Sequence, residues 1–231
     1  MDHFENIYAN KAFEYHRMIE VEDVDQNLLP ALQEITSLKN KTIIDLGSGT
    51  GRIPLLLSKI QKEIHALDLN RPMLLEQKRQ RDMQAETWSL VEGDMRKIPY
   101  ATNAADIVIA GWAIGHLRGW FENDWVDQIS SILDEMKRIA KPGGIVIVME
   151  TMTTGSLTPA PPTPGLAEYY TLMENDHNFK TKTIQTDYQF RDLEESVAFT
   201  EFFFGEELSQ NIRENNWVRL PEWTGMWWKT V

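Results

Sequence analysis

Cysteine is absent from the 231 residues. That removes disulfide staples, thiolate nucleophiles and thiolate metal ligands together, and it fits a reducing cytosol. Long apolar runs are missing too. No stretch approaches the roughly 20 residues of a membrane span. The opening MDHFENIYANKAFEYHR has no apolar core behind a basic start, so no secretory signal is expected. Basic residues are scarce: 23 Lys and Arg stand against 35 Asp and Glu, a formal net charge of −12. No basic run is available to follow a phosphate backbone. These shortages point to a cytoplasmic protein that uses neither nucleic acid nor membrane.

What is present suits one sizeable domain, with 42% hydrophobic and 25% charged residues. From Thr42 onward, short apolar runs alternate with helical patterns. TIIDLG, IHALDL, TWSLVEGD, ADIVIAGWA and GIVIVMETM are predicted strands. Between them, RIPLLLSKIQK (52–62), RPMLLEQKRQRDMQ and WVDQISSILDEMKRIA are predicted helices, the last stopped by KPGG. Apolar strands separated by helices imply a parallel sheet covered on both faces. Residues 1–40 form a mainly helical N-terminal cap, residues 41–151 the core, and residues 152–231 a Pro- and Thr-rich lid loop followed by the rest of the sheet. In that last part GLAEYYTLMENDHN is expected to be helical, TKTIQTDYQF a strand, residues 192–215 helical and EWTGMWWK a final strand.

Three glycines, Gly47, Gly49 and Gly51, crowd the end of the first strand. Glycine inside an element weakens it, so this density implies a ligand approached at backbone distance. Arg52 directly follows Gly51, where a Walker loop needs Lys after its last glycine and a dinucleotide loop needs Gly, which excludes both. Asp68 ends the second strand, where an acid can accept the hydroxyls of a ribose. Capping of the next helix is its other reading, a role that Asn70 ahead of Pro72 is expected to fill. Asp94, in EGD after the third strand, can accept from an exocyclic amine, with the Met95 amide as a donor to a ring nitrogen. Met73 can flank a purine ring or belong to the core.

DLGSGTG, LD, EGD, DIVIAGWAIGHL and KPGG follow one another in the order found in class I S-adenosylmethionine-dependent methyltransferases, and the region resembles that family from about Thr42 to Thr151. The resemblance implies an α/β, Rossmann-like fold. Its sheet is seven-stranded and mostly parallel, with the last strand antiparallel and helices on both faces. It implies S-adenosylmethionine as cofactor and S-adenosylhomocysteine as product. Carried over, Gly47, Gly49 and Gly51 line the methionine part, Asp45 orders the loop or a bridging water, and Asp68 binds ribose. Asp94 and Met95 read adenine, Ala110 or Gly111 offers a carbonyl, and Tyr15 and Arg17 cover the carboxylate.

Several acceptor classes lack their residues. The fourth strand ends in AGWA instead of an Asn/Asp-Pro-Pro turn, which disfavours base amines. The missing cysteine disfavours pyrimidine C5, and Gly111 with Trp112 stands where catechol-type relatives place a metal-binding Asp, so no metal is expected. A small-molecule acceptor remains, walled by Trp112, Trp120, Phe121, Tyr8 and Tyr15 and the 153–164 loop. His116 and Glu150 are the candidate catalytic groups. The methylated atom (O, N or C) and the oligomeric state stay open, and a non-catalytic cofactor-binding protein is the alternative.

Overall fold

The computed structural model describes residues 3–61 and 63–231. Helices α1 (His3–Asn10), α2 (Ala12–Glu20) and α3 (Leu28–Ile35) precede the sheet. Then come β1 (Ile43–Leu46), α4 (Arg52–Leu57), β2 (Ile64–Asp68), α5 (Arg71–Met83), β3 (Ser89–Glu92) and β4 (Ala105–Gly111). Helices α6 (His116–Trp120) and α7 (Trp125–Ile139) lead into the long β5 (Ala140–Thr154). The C-terminal part holds α8 (Pro164–Thr171), β6 (Lys180–Gln185), β7 (Tyr188–Gln189), α9 (Leu193–Phe204), α10 (Glu206–Asn215), β8 (Arg219–Leu220) and β9 (Glu222–Thr230). Among the described residues no helix is long and apolar enough to cross a membrane.

Seven strands form one sheet in the order β3-β2-β1-β4-β5-β9-β6, with β9 antiparallel to both its neighbours and the other pairings parallel. Strand β1 is where the order reverses: the chain leaves it toward β2 and returns on its other side as β4. In an open parallel sheet the crevice at such a reversal, beyond the carboxyl ends of the strands, is where a ligand fits.

The alternation of the strands divides the core in two. Ile44, Leu46, Val108 and Ala110 face α7, whose Ile129, Ile132, Leu133 and Met136 recur at helical spacing. Ile43, Ile107 and Ile109 face the other way, onto Leu28 and Leu32 of α3 and Ile53 and Leu57 of α4. A third cluster joins the chain's two ends, with Met18 and Ile19 of α2 packed among Val197, Leu208, Ile212 and Leu220.

Four expectations change at their ends. Helix α4 stops at Leu57 rather than continuing to Lys62, which lies outside the described residues; the Ser58 hydroxyl bonds the Leu55 carbonyl there. The strand expected over 181–190 breaks at Asp187, whose carboxylate takes the Glu222 N–H at 3.0 Å and Arg219 Nε at 2.8 Å. The chain then leaves the main sheet, and β7 pairs with β8 in a ribbon of its own. The helix over 192–215 breaks at Gly205, φ 86°, into α9 and α10. Finally α8 passes into one π turn, Leu172–Asp176.

Trp227 fastens that turn to the sheet. It is buried in β9, its Nε1 donates to Glu174 at 2.8 Å, and its ring meets Tyr170 at 4.5 Å. Trp227→Ala should therefore lower unfolding free energy by about 3–5 kcal/mol, the range for a large aromatic lost from a packed core. Urea denaturation measures this, and a loss under about 1 kcal/mol would show that the site collapses without consequence.

Candidate active site

Two buried acids stand at the reversal. Asp45 is the third residue of β1 and is buried; its Oδ2 has no hydrogen-bond partner among the described residues. Burial, reinforced by the negative charge of Asp68, holds its pKa well above the ordinary carboxylate value. Asp68 ends β2, and its two oxygens are both engaged. Oδ2 accepts the Gly49 N–H and Oδ1 the Asn70 N–H, each at 2.7 Å. The Asn70 side chain makes no cap bond at the start of α5, so the capping role expected of it is not filled, and Asp68 holds the backbone N–H of Asn70 just ahead of the helix. One carboxylate ties the glycine loop to the entry of α5, and carboxylate oxygens retain lone pairs for further donors.

The glycines of the loop differ in what they face. All have positive φ (64°, 54° and 97°), but a Cβ on Gly47 would lie 2.4 Å from the Ala113 Cβ and one on Gly51 2.7 Å from Gln77. On Gly49 the nearest atom is the Met73 Cε at 3.5 Å. Gly49 alone of the three opens onto free space, and that space is a cavity of about 600 Å³. Asp45, Gly47, Gly49 and Asp68 line it on one side, and Met73, Asp94, Met95 and Gly111 on the others. Asp94 is gripped by the guanidinium of Arg96, with Nη2 at 2.6 Å and Nε at 3.0 Å from Oδ2. That grip holds its carboxyl below the ordinary range.

Three sequence expectations fall outside this cavity. Arg17 is exposed and lies over the Phe199 ring at 4.5 Å, so it does not cover the cavity. Arg52 and Arg96 are the cations that line it; Arg52 is paired with Glu22 at 2.5 Å and stacked 3.5 Å above Trp112. Its signal was present in the sequence, as the first residue of the helix that follows the loop. Ala110 is sealed in the core beneath Gly111, and Gly51 abuts Gln77.

A second cavity of about 1240 Å³ adjoins the first, and Tyr8, Tyr15, Arg52, Trp112, His116 and Trp120 line both. His116 opens α6; its Nε2 shares a hydrogen bond with the Tyr8 hydroxyl at 2.8 Å, and its ring stacks on Trp120 at 5.1 Å. Glu150 lies on the second cavity only. Its Oε1 accepts the Gly115 N–H at 2.8 Å and the Tyr169 hydroxyl at 3.4 Å. Burial raises its pKa to about 8. The loop expected as a lid is latched down. Ala160 N–H meets Met152 O at 2.8 Å, and Trp223 Nε1 meets Ser156 O at 3.0 Å. The cover over the cavities comes instead from α1, α2 and the α9–α10 pair, which supply Tyr8, Tyr15, Phe203 and Leu208.

Residues 44–148 match the family model described as a methyltransferase domain. Over that region the chain is similar to the class I S-adenosylmethionine-dependent methyltransferase family. Among curated members, a malonyl-[acyl-carrier protein] O-methyltransferase from Legionella pneumophila is 30% identical over 145 residues, 61% of this chain and 46% of that protein. A demethylmenaquinone methyltransferase from Oceanobacillus iheyensis is 27% identical over 152 residues, 64% of this chain and 60% of that one. The chain thus spans about half the length of these relatives. Solved structures share the fold at low identity. An S-adenosylmethionine-dependent methyltransferase from Aquifex aeolicus gives a TM-score of 0.55 at 15% identity, covering 91% of both chains. The [4+2]-cyclase SpnF gives 0.57 at 18%, covering 89% of this chain and 81% of that one. A fold shared with a cyclase does not by itself fix the reaction. That likeness implies S-adenosylmethionine as cofactor, and the orphaned Asp45 oxygen and the open face of Gly49 fit such a ligand.

Two predictions follow from this geometry. Gly49→Ala keeps a free approach for its Cβ and costs only the left-handed backbone strain of about 1–2 kcal/mol. It should stay folded in a thermal melt while losing S-adenosylhomocysteine binding in calorimetry, whereas Gly47→Ala should lose both. Equal affinity in Gly49→Ala and wild type would remove the loop from the ligand site. The Glu150 carboxyl titrates near 4.5 when unfolded and about 8 when folded, so the native state holds its proton longer. Its contribution is full below about pH 4.5 and is lost as pH rises toward 8, by up to ~1.4 kcal/mol per pH unit. Urea melts of Glu150→Gln from pH 5.5 to 7.5 should fall less steeply than wild type; parallel curves would mean that Glu150 is already ionised.

Proposed function

We propose that the protein transfers a methyl group from S-adenosylmethionine to a small-molecule acceptor. The observation carrying this reading is that the glycine-loop cavity and the larger chamber share one wall, with His116 on it. Two compartments meeting at a polar side chain suit a donor in one and an acceptor in the other.

S-adenosylmethionine supplies a methyl group already activated for in-line displacement by its positively charged sulfur. The chain's part is to bind, align and exclude water. Asp68 takes the ribose hydroxyls, Asp94 and Met95 the adenine edge, and Met73 a face of the ring. Gly49 admits the methionine part to the backbone beside Asp45, and Arg52, in place of Arg17, serves its carboxylate. Tyr8 and Tyr15 close over the site from the N-terminal helices. Where the acceptor must lose a proton, His116 is the base at the boundary, held by Tyr8 through Nε2.

Asp68→Ala should weaken S-adenosylmethionine and S-adenosylhomocysteine alike by about 2–3 kcal/mol, as expected for charge-assisted bonds in a buried site. Calorimetry measures both, and a loss confined to one ligand would contradict a ribose role. His116→Ala should lower turnover by roughly 10²- to 10⁴-fold with cofactor affinity nearly unchanged. Turnover is followed by the mass gain of one methyl group on the acceptor, and a mutant within a few-fold of wild type leaves His116 to packing.

A further inference from the structure

The larger chamber is acidic where it is most enclosed. Glu150 near the end of β5 and Glu222 at the start of β9 are both on its wall and are 5% and 2% exposed. Neither is in an ion pair among the described residues. Glu222 Oε1 accepts the Thr151 hydroxyl and the Thr154 hydroxyl lies close to the carboxyl, while Oε2 meets no donor at hydrogen-bonding geometry among the described residues. Two arginines reach the same wall and each is in an ion pair, Arg52 with Glu22 at 2.5 Å and Arg118 with Glu168 at 2.7 Å, while the buried Arg118 Nε has no hydrogen-bond partner among the described residues. Glu122 and Glu207 add acid at the exposed margin. Phe4, Trp120, Phe203 and Phe204 give the wall aromatic faces, set among threonine, asparagine and aliphatic side chains.

A buried carboxyl with an unanswered oxygen is costly to the fold, so its retention on a cavity wall calls for a ligand. An anion gains no countercharge from Glu150 and Glu222, whether these carboxyls are neutral or ionised. An ammonium satisfies it twice, by charge-assisted hydrogen bonds to a carboxylate and by attraction to aromatic faces. We propose that the chamber binds a cationic amine on an apolar or aromatic frame, with Glu222 as the residue that takes the ammonium and Glu150 supporting it on the same wall. That the amine is the methyl acceptor rests on the methyltransferase reading above; the preference for a cation rests on the chamber alone. Burial holds both carboxyls in the protonated form up to about pH 8, and a neighbouring ammonium favours their ionised form.

Tryptamine, tryptophol and indole-3-acetate share one frame and differ in charge. Calorimetry of the full chain, with and without S-adenosylhomocysteine, should find tryptamine bound about tenfold or more tighter than tryptophol, with indole-3-acetate weakest. Glu222→Gln preserves shape and should weaken tryptamine by about tenfold or more while tryptophol stays within about twofold, the latter showing that the chamber is intact. Amine binding no tighter than the alcohol or the acid, no detectable amine binding, or an amine preference that survives Glu222→Gln would each overturn the proposal. Loss of S-adenosylhomocysteine binding with the amine preference intact would instead count against the methyltransferase reading alone.

Discussion

The Asp68 carboxylate is the tie on which the ligand end of this molecule depends. It holds the N–H of Gly49 from the first crossover and of Asn70 from the second. The glycine loop bends through three left-handed residues and could adopt many other paths. Anchored at its middle residue to a buried acid, it adopts one. That path leaves Gly49 facing open space while Gly47 and Gly51 lie against Ala113 and Gln77. Asp45 stands beside it with an unanswered oxygen. The sheet positions this pair of acids at its reversal point, and the rest of the site is built outward from them.

The roof is made from the two ends of the chain. Helix α2 packs against α9 and α10 through Met18, Ile19, Val197 and Leu208, and α1 sets Ile7 and Tyr8 over Met73. The cavities are therefore closed by an apolar contact between segments nearly 200 residues apart, which carries Tyr8 to His116 and Tyr15 to the shared wall. The Pro-rich loop contributes to the margin but is bonded to β5 and β9. Opening the site from this side would mean parting α1 and α2 from the C-terminal pair.

Electrostatics on the two sides of that wall differ. The smaller cavity answers Asp68 with backbone N–H groups and Asp94 with Arg96. In the larger one the Glu22–Arg52 pair is internally neutral, and Glu150 and Glu222 are left to burial. Both pKa values are raised to about 8, which means the fold tolerates these carboxyls chiefly in their neutral form. Such groups weaken the fold as pH rises, a feature more easily understood in a binding chamber than in a core.

The sequence by itself determined the parallel sheet, its helices and the strand-end residues of the first cavity. These follow from local rules: apolar runs mark strands, and a loop or acid at a strand's end has its place once the strand order is known. Asp45, Gly49, Asp68, Asp94 and Met95 were legible for that reason. Only the tertiary structure decided which cations and which acids line the cavities. Arg17 and Arg52 are both basic residues near the first strand, but the helical phase of α2 turns Arg17 outward onto Phe199, and the entry of α4 turns Arg52 inward. Glu22 and Glu222 are 200 positions apart, and no periodicity marks either. They share a chamber with Glu150 because β9 inserts antiparallel beside β5 and the N-terminal helices fold across it, contacts between distant segments that leave no local pattern in the chain.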